Sequence, residues 1–170
     1  MMPDAYYKNI YEIDYNNLKS KGYKYIFLDI DNTLISYKEN TSSEELKKLI
    51  NNLKKDFDIF LFSNGMSNRV LKLQKELDIG AYYNSMKPLK KNYKKVLNKY
   101  DKNKCIFIGD QFMTDIWGAK RNGLKVILVD IIDPSYEPFT THIWRFFERI
   151  HLNYLKKKGL FTKSNYYDKL

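Results

Sequence analysis

Cysteine is nearly absent from this chain. Cys105 stands alone, so no internal disulfide can form and no thiolate cage can hold zinc. It falls in the apolar run Cys105-Ile106-Phe107-Ile108 and reads as a core residue. Histidine is equally scarce. His142 and His151 have no third ligand candidate near them, which favours surface or packing roles over a zinc centre. No apolar run approaches the ~20 residues that a transmembrane helix needs. The opening Met1-Met2-Pro3-Asp4-Ala5-Tyr6 also lacks the basic start and apolar segment of a secretory signal, so a cytoplasmic protein is expected. Acidic residues are outnumbered, twenty against thirty Lys and Arg, and the resulting +10 favours anionic partners: phosphorylated small molecules, nucleic acid or an acidic membrane face. There is no low-complexity tract. A chain of 170 residues that is 44% hydrophobic suffices for one domain with a real core, and is too short for two ordinary ones.

What is present centres on Ile26-Phe27-Leu28-Asp29-Ile30-Asp31-Asn32-Thr33-Leu34. Tyr25 to Leu28 are aromatic or branched without polar alternation, as in a strand covered on both faces of a parallel sheet. Strand side chains repeat every two residues, so Asp29 and Asp31 leave on the same side while Ile30 points into packing. Two carboxylates that converge repel unless a cation or a shared proton intervenes, which suggests a metal, a proton-transfer role, or both.

The rest of the chain repeats one rhythm. Asp14 can cap a helix over 15–21 that Gly22 ends, and Ser42 with Glu45 has capping-box spacing ahead of Leu46, Leu49, Ile50 and Leu53. A second apolar run, Ile59-Phe60-Leu61-Phe62, ends in Ser63-Asn64-Gly65 before a helical pattern through Val70, Leu73 and Leu77. A short strand over 81–83 and a helix around Tyr93, Val96 and Leu97 follow. Then come the strand Cys105 to Ile108, the segment Gly109-Asp110-Gln111-Phe112-Met113-Thr114-Asp115, a helix through Ile116 to Asn122 and a last strand, Val126 to Val129. This alternation predicts an α/β fold: a Rossmann-like, doubly wound parallel sheet with helices on both faces, in a single domain over 1–170. From residue 134 the character changes to a C-terminal helical extension. Ile143, Phe146, Phe147, Ile150 and Tyr154 recur at helical spacing beside Arg145, Arg149 and Lys156-Lys157-Lys158, a basic amphipathic helix. Its apolar stripe either docks on the body of the domain or lies on an anionic membrane.

Four strand ends or following loops each offer a group suited to phosphate: Asp29 with Asp31, Ser63, Lys87, and Asp110 with Asp115. In a doubly wound sheet they meet in one crevice. Phosphoryl transfer needs a nucleophile, a proton donor for the leaving alkoxide, cations over the phosphate oxygens and a metal to hold opposed negative charges together. Asp29 fits the nucleophile, Asp31 the acid that then activates water, and Ser63, Lys87 and the backbone N–H groups of Asn64 and Gly65 the phosphate contacts. Asp110 would complete a hard-oxygen Mg²⁺ site with Asp29, water and a backbone carbonyl. The segments between Thr33, Ser63 and Lys87 each hold little more than one helix, so no cap domain is inserted there and an open site is expected.

The order Asp29-x-Asp31-x-Thr33, Ser63, Lys87 and Gly109-Asp110-x-x-x-x-Asp115 resembles the four motifs of the haloacid dehalogenase superfamily. Within it, Pro3-Asp4 and the segments Leu28 to Leu34 and Gly109 to Asp115 resemble the YqeG family of class IIIA phosphatases. The resemblance implies a capless hydrolase with Asp29 as nucleophile, Asp31 as acid/base, and Thr33, Ser63, Asn64 and Lys87 as phosphate contacts. It implies Mg²⁺ held by Asp29, Asp31 through its carbonyl, and Asp110, with Asp115 as an accessory ligand or a cap of the next helix. An acid at position 31 resembles the phosphatases rather than the dehalogenases or P-type ATPases of the superfamily, which points to hydrolysis. The YqeG family is related to phosphatidylglycerophosphate phosphatases, so that lipid precursor is the first substrate expected, at the inner face of a membrane. The enzymatic alternative is a polynucleotide end phosphatase, without an RNA- or DNA-binding motif to support it. A signalling receiver would carry its phosphorylated Asp on a later strand than its acidic pair, whereas here both acids leave the first core strand. A scaffold that only docks a partner would not need the acid pair.

Overall fold

The computed structural model describes residues 1–65, 67–163 and 165–170, without the side chains of residues 67 and 140. Seven strands form one sheet: β1 (Ala5–Tyr7), β2 (Tyr25–Leu28), β3 (Asp58–Phe62), β4 (Gly80–Tyr82), β5 (Cys105–Gly109), β6 (Lys125–Val129) and β7 (Tyr167–Asp168). Their spatial order is β4-β3-β2-β5-β6-β1-β7. Every neighbouring pair is parallel except β1 with β7. From β2 the chain builds outward through β3 and β4, then returns to place β5 on the other side of β2. The order therefore reverses between β2 and β5, the position at which α/β sheets open a crevice at their carboxyl ends. In register, Leu28 lies beside Leu61 of β3 and Ile108 of β5, so the residues that follow these strands emerge together.

The alternation along each strand sorts the core by chemistry. Ile26, Leu28, Ile59, Leu61, Ile106, Ile108, Ile127 and Val129 face α1 (Tyr15–Ser20), α2 (Glu44–Leu53) and α3 (Ser67–Leu77) in one largely aliphatic layer. Phe27, Phe60, Phe62 and Phe107 face the other way, onto Tyr93 of α4 (Lys90–Leu97). There Phe27 stacks on Phe60 at 5.3 Å and Phe62 meets Phe107 edge-on at 5.7 Å, offset geometries that rings prefer over a direct sandwich. Cys105 lies in this second layer, fully buried. After β5 come one π turn (Phe112–Ile116) and the short α5 (Trp117–Lys120).

Four local expectations change. The cap of α2 is Ser43, whose hydroxyl accepts from the N–H of Leu46, because Ser42 is held by Glu76 of α3 through both its N–H and its hydroxyl. Val126 to Val129 is not the last strand, since the chain returns to add β7 on the far side of β1. The predicted helix through Ile116 to Asn122 begins earlier, as the π turn. The C-terminal helix forms as α6 (Phe139–Lys157) and packs on the domain, but not through its apolar stripe. Thr141, Glu148 and Leu155 are buried, with Arg145 inward as well, while Ile143, Phe146, Phe147, Ile150 and Tyr154 stand 48–55% exposed.

Candidate active site

Asp29 follows β2 directly, and its N–H donates to the carbonyl of Ile108 on β5. Beyond it the chain turns sharply: the N–H groups of Thr33, Leu34 and Ile35 all donate to the carbonyl of Ile30, with Asn32 at φ 64°. Asn suits that left-handed position because its short polar side chain tolerates it. The turn brings Asp31 back over the sheet end, and Asp29 and Asp31 both line one cavity of about 230 Å³. Asn64, Gly65, Lys87, Asp110 and Asp115 line it as well, so loops after four strands meet there.

The floor of the cavity holds charges that are almost closed off from bulk water. Asp29, Lys87, Asp110 and Asp115 are each 1–7% exposed. The Lys87 ammonium donates to Asp29 Oδ1 at 2.5 Å and to Asp115 Oδ1 at 2.7 Å. Gly109 makes room for this: a Cβ there would lie 2.6 Å from Asp115 Oδ2, so only glycine lets that carboxylate close against β5. Asp115 Oδ2 also accepts from the N–H of Gln111, which ties it to the start of the π turn. Such turns recur where side chains must be re-aimed at a site.

Carboxylate oxygens of Asp29, Asp110 and Asp115 lie within 4.8 Å of one another. Burial holds the Asp29 carboxyl well above the ordinary range against the opposing pull of Lys87, and the charges of Asp115, Asp110 and Asp31 add to it. Burial likewise pushes Asp110 up to about 6, although Arg145 opposes it. For Lys87 burial alone would favour the neutral amine, but Asp115 and Asp29 outweigh it and hold the ammonium charged. In all three, burial disfavours the charged form first, and the neighbouring carboxylates then raise one another and the ammonium. Three buried oxygen donors with unbalanced charge suit a hard divalent cation such as Mg²⁺.

The other expected phosphate contacts are placed differently. Ser63 is buried, accepts from the N–H of Gly65 through its hydroxyl, and does not line the cavity. Thr33 donates its hydroxyl to Asp110 Oδ1 at 3.0 Å and supports that carboxylate from behind. Asn64 lines the cavity, yet its amide clamps the Lys87 backbone, accepting from the N–H at 2.6 Å and donating to the carbonyl at 3.0 Å.

Two arginines of the site are not expected there from the sequence: Arg145 reads only as part of the basic C-terminal helix, and Arg69 is not singled out. Arg145 of α6 pairs with Asp110 Oδ2, Glu137 and Glu148, and lines the cavity with Pro138, Thr141 and Trp144. The available signal was Glu148 at i+3, on the helix face opposite the apolar stripe. Arg69, in the first turn of α3, pairs with Asp31 Oδ1. A cation at a helix N-terminus opposes the helix dipole, and that anomaly was the only hint. Tyr37 completes the wall and meets Thr141 Oγ1 at 3.3 Å.

Residues 8–123 match the model of the haloacid dehalogenase-like hydrolases. The chain belongs to that family. This hydrolase is 33% identical over 161 residues to the Bacillus subtilis protein named probable phosphatase YqeG, covering 93% of each chain. It is 27% identical to a chloroplastic/mitochondrial phosphatidylglycerophosphate phosphatase 1 of Arabidopsis thaliana, covering 94% of this chain and 49% of that one, so it spans about half of that relative. Among solved structures, the magnesium-bound HAD hydrolase YfnB of Bacillus subtilis superposes with a TM-score of 0.54 at 14% identity over 69% of this chain and 90% of its own. A Vibrio cholerae 3-deoxy-D-manno-octulosonate 8-phosphate phosphatase gives 0.53 at 19% over 68% and 72%. At such identities these two share the fold. The helix α6, with Arg145, lies beyond the segment that the family model matches.

Proposed function

We propose that this hydrolase is a Mg²⁺-dependent phosphomonoesterase that works through an aspartyl-phosphate on Asp29, with a phospholipid such as phosphatidylglycerophosphate as its substrate. The observation that carries the chemistry is the pair Asp29 and Asp31 at the cavity, one oxygen of Asp29 held by Lys87. An Asp29 oxygen attacks phosphorus while the bond to the ester oxygen breaks, and Asp31 gives its proton to the departing alkoxide. Asp31, now a carboxylate, takes a proton from water as that water's oxygen attacks phosphorus, which releases phosphate and restores Asp29. Lys87 offsets negative charge throughout, and the backbone N–H groups of Asn64 and Gly65 are the candidate donors to phosphate oxygens. Asp29 and Asp110, the carbonyl of Asp31 and Asp115 as an accessory would hold Mg²⁺, which shields the phosphate from the carboxylates.

The substrate reading draws on similarity to a protein named for phosphatidylglycerophosphate and on two features of this chain. Beyond the strand-end loops and the π turn, the cavity is walled by Tyr37, Pro138 and the first turns of α6, with no inserted cap among the described residues. On the face away from the cavity, α6 presents Phe139, Ile143, Phe146, Phe147, Ile150 and Tyr154 to solvent, with Arg149, Lys156 and Lys157 exposed on the same helix and Lys158 just after it. Among the described residues, no helix is long and apolar enough to cross a membrane. Peripheral contact with an anionic bilayer fits this surface, each basic group adding about 1 kcal/mol near it. An assay with Mg²⁺ over phosphatidylglycerophosphate in vesicles, sugar phosphates, nucleotides and oligonucleotide end phosphates tests the reading. Turnover of the lipid above all others supports it, turnover of oligonucleotide ends replaces the substrate, and no phosphate release from any removes the phosphatase itself.

A further inference from the structure

We infer that Arg69 is a positioning residue for proton transfer by Asp31, an inference that rests on the acid/base reading of Asp31 above. The guanidinium of Arg69 is fixed before it meets the carboxylate. Its Nη2 donates to the carbonyls of Ser36 at 2.9 Å and Glu39 at 2.8 Å, and its Nε donates to that of Glu39 at 3.1 Å. Those two carbonyls belong to the loop after the Asp31 turn, and Glu39 further closes it by accepting from the Ser36 N–H at 2.9 Å. Held in that plane, Arg69 has Nη1 left to donate to Asp31, and it donates to Oδ1. The other oxygen, Oδ2, lies on the side of Gly65, a residue of the cavity wall.

The consequence is a division of labour between two oxygens of one carboxyl group. An oxygen that accepts from a guanidinium is a poor site for a proton, so the proton exchanged with the ester oxygen resides on Oδ2, at the cavity. Without Arg69 the side chain of Asp31 is free to rotate and either oxygen can carry the proton in either direction. A planar fork sets this orientation where an ammonium would not, because only the fork reaches both loop carbonyls and the carboxylate together. Arg69 touches neither the cavity nor the reacting atoms, and acts only through Asp31.

The test is the dependence of kcat/KM on the leaving group, since kcat/KM reports steps only as far as departure of the alcohol. With butyl phosphate the alkoxide needs a proton, and with p-nitrophenyl phosphate the phenolate leaves without one. Arg69→Met should lower kcat/KM for butyl phosphate by about tenfold to a hundredfold, within the range that general acids contribute, and for p-nitrophenyl phosphate by less than about threefold. Arg69→Lys, which keeps the charge and guards against a folding defect in the first variant, should fall between. Equal losses on both esters, or none, would overturn the inference and leave Arg69 as a loop anchor. Asp31→Asn run alongside separates the two claims: a selective loss there with a uniform loss in Arg69→Met sinks the positioning role alone. A uniform loss in Asp31→Asn sinks the acid/base reading and the positioning role with it.

Discussion

At the strand-end cavity, Asp29, Lys87, Asp110 and Asp115 are ionisable groups almost closed off from water, whereas on α6 six large apolar side chains from Phe139 to Tyr154 stand in it. Each region departs from ordinary burial, in opposite directions. Buried charges cost desolvation even when paired, and an exposed apolar face invites association. A fold selected for stability alone would keep neither. The first region has the chemistry to take a cation and the second to take an apolar partner, and the two adjoin because α6 carries Thr141 and Arg145 into the cavity wall on its inner side. Removing a group that belongs to one region alone should therefore cost function more than stability.

The largest effect belongs to the strand-end site. Asp29→Asn should lower turnover by about 10³-fold or more, as loss of a nucleophile does. Because the ionised carboxyl is disfavoured there, the metal-free variant should melt no lower than the parent. A melting temperature that falls by many degrees would mean that Asp29 is chiefly structural. Arg145→Met joins the two regions and should cost about 3–5 kcal/mol in urea unfolding, since Asp110, Glu137 and Glu148 lose a buried cation. A loss near that of a surface ion pair would break the link between α6 and the site.

A smaller, pH-dependent effect concerns the buried carboxylates. Asp110 takes up a proton more readily folded, at about 6, than in the unfolded chain, where the ordinary value is about 4. In that window the folded form binds more protons, so this group's contribution to stability falls as pH rises from about 4 to about 6. In the proposed metal site, Mg²⁺ would relieve the penalty only when the carboxyl is ionised. The rise in melting temperature caused by Mg²⁺ should then be larger at pH 7.5 than at pH 5, and an equal rise at both would remove Asp110 from the metal site. The smallest stability effect is expected on the outer face of α6: Phe146→Ser with Phe147→Ser should change the folding free energy by less than about 1 kcal/mol, since both side chains are already about half exposed. The same pair should abolish sedimentation with anionic vesicles. Replacement of Lys156, Lys157 and Lys158 by Gln should weaken it more at low salt than at high. Unchanged vesicle binding in both variants would leave the apolar face without a membrane.

The sequence by itself determined what short-range spacing can encode. The alternation of apolar runs and helical stripes gave the parallel α/β sheet, and the apolar run that stops at Asp29-Ile30-Asp31 put both acids at the end of one strand. These follow from backbone geometry that any strand or helix imposes on its own residues. Tertiary structure alone decided the rest. Nothing local joins Arg69 to Asp31, Asn32 to Glu137, or Ser42 to Glu76, pairs that lie 38, 105 and 34 residues apart. Nor could periodicity say which face of α6 meets the domain. An apolar stripe is the usual answer because water disfavours it, but here the packed face carries Thr141, Arg145 and Glu148, whose polar groups become acceptable inside only once Asp110, Glu137 and Lys163 are brought to meet them.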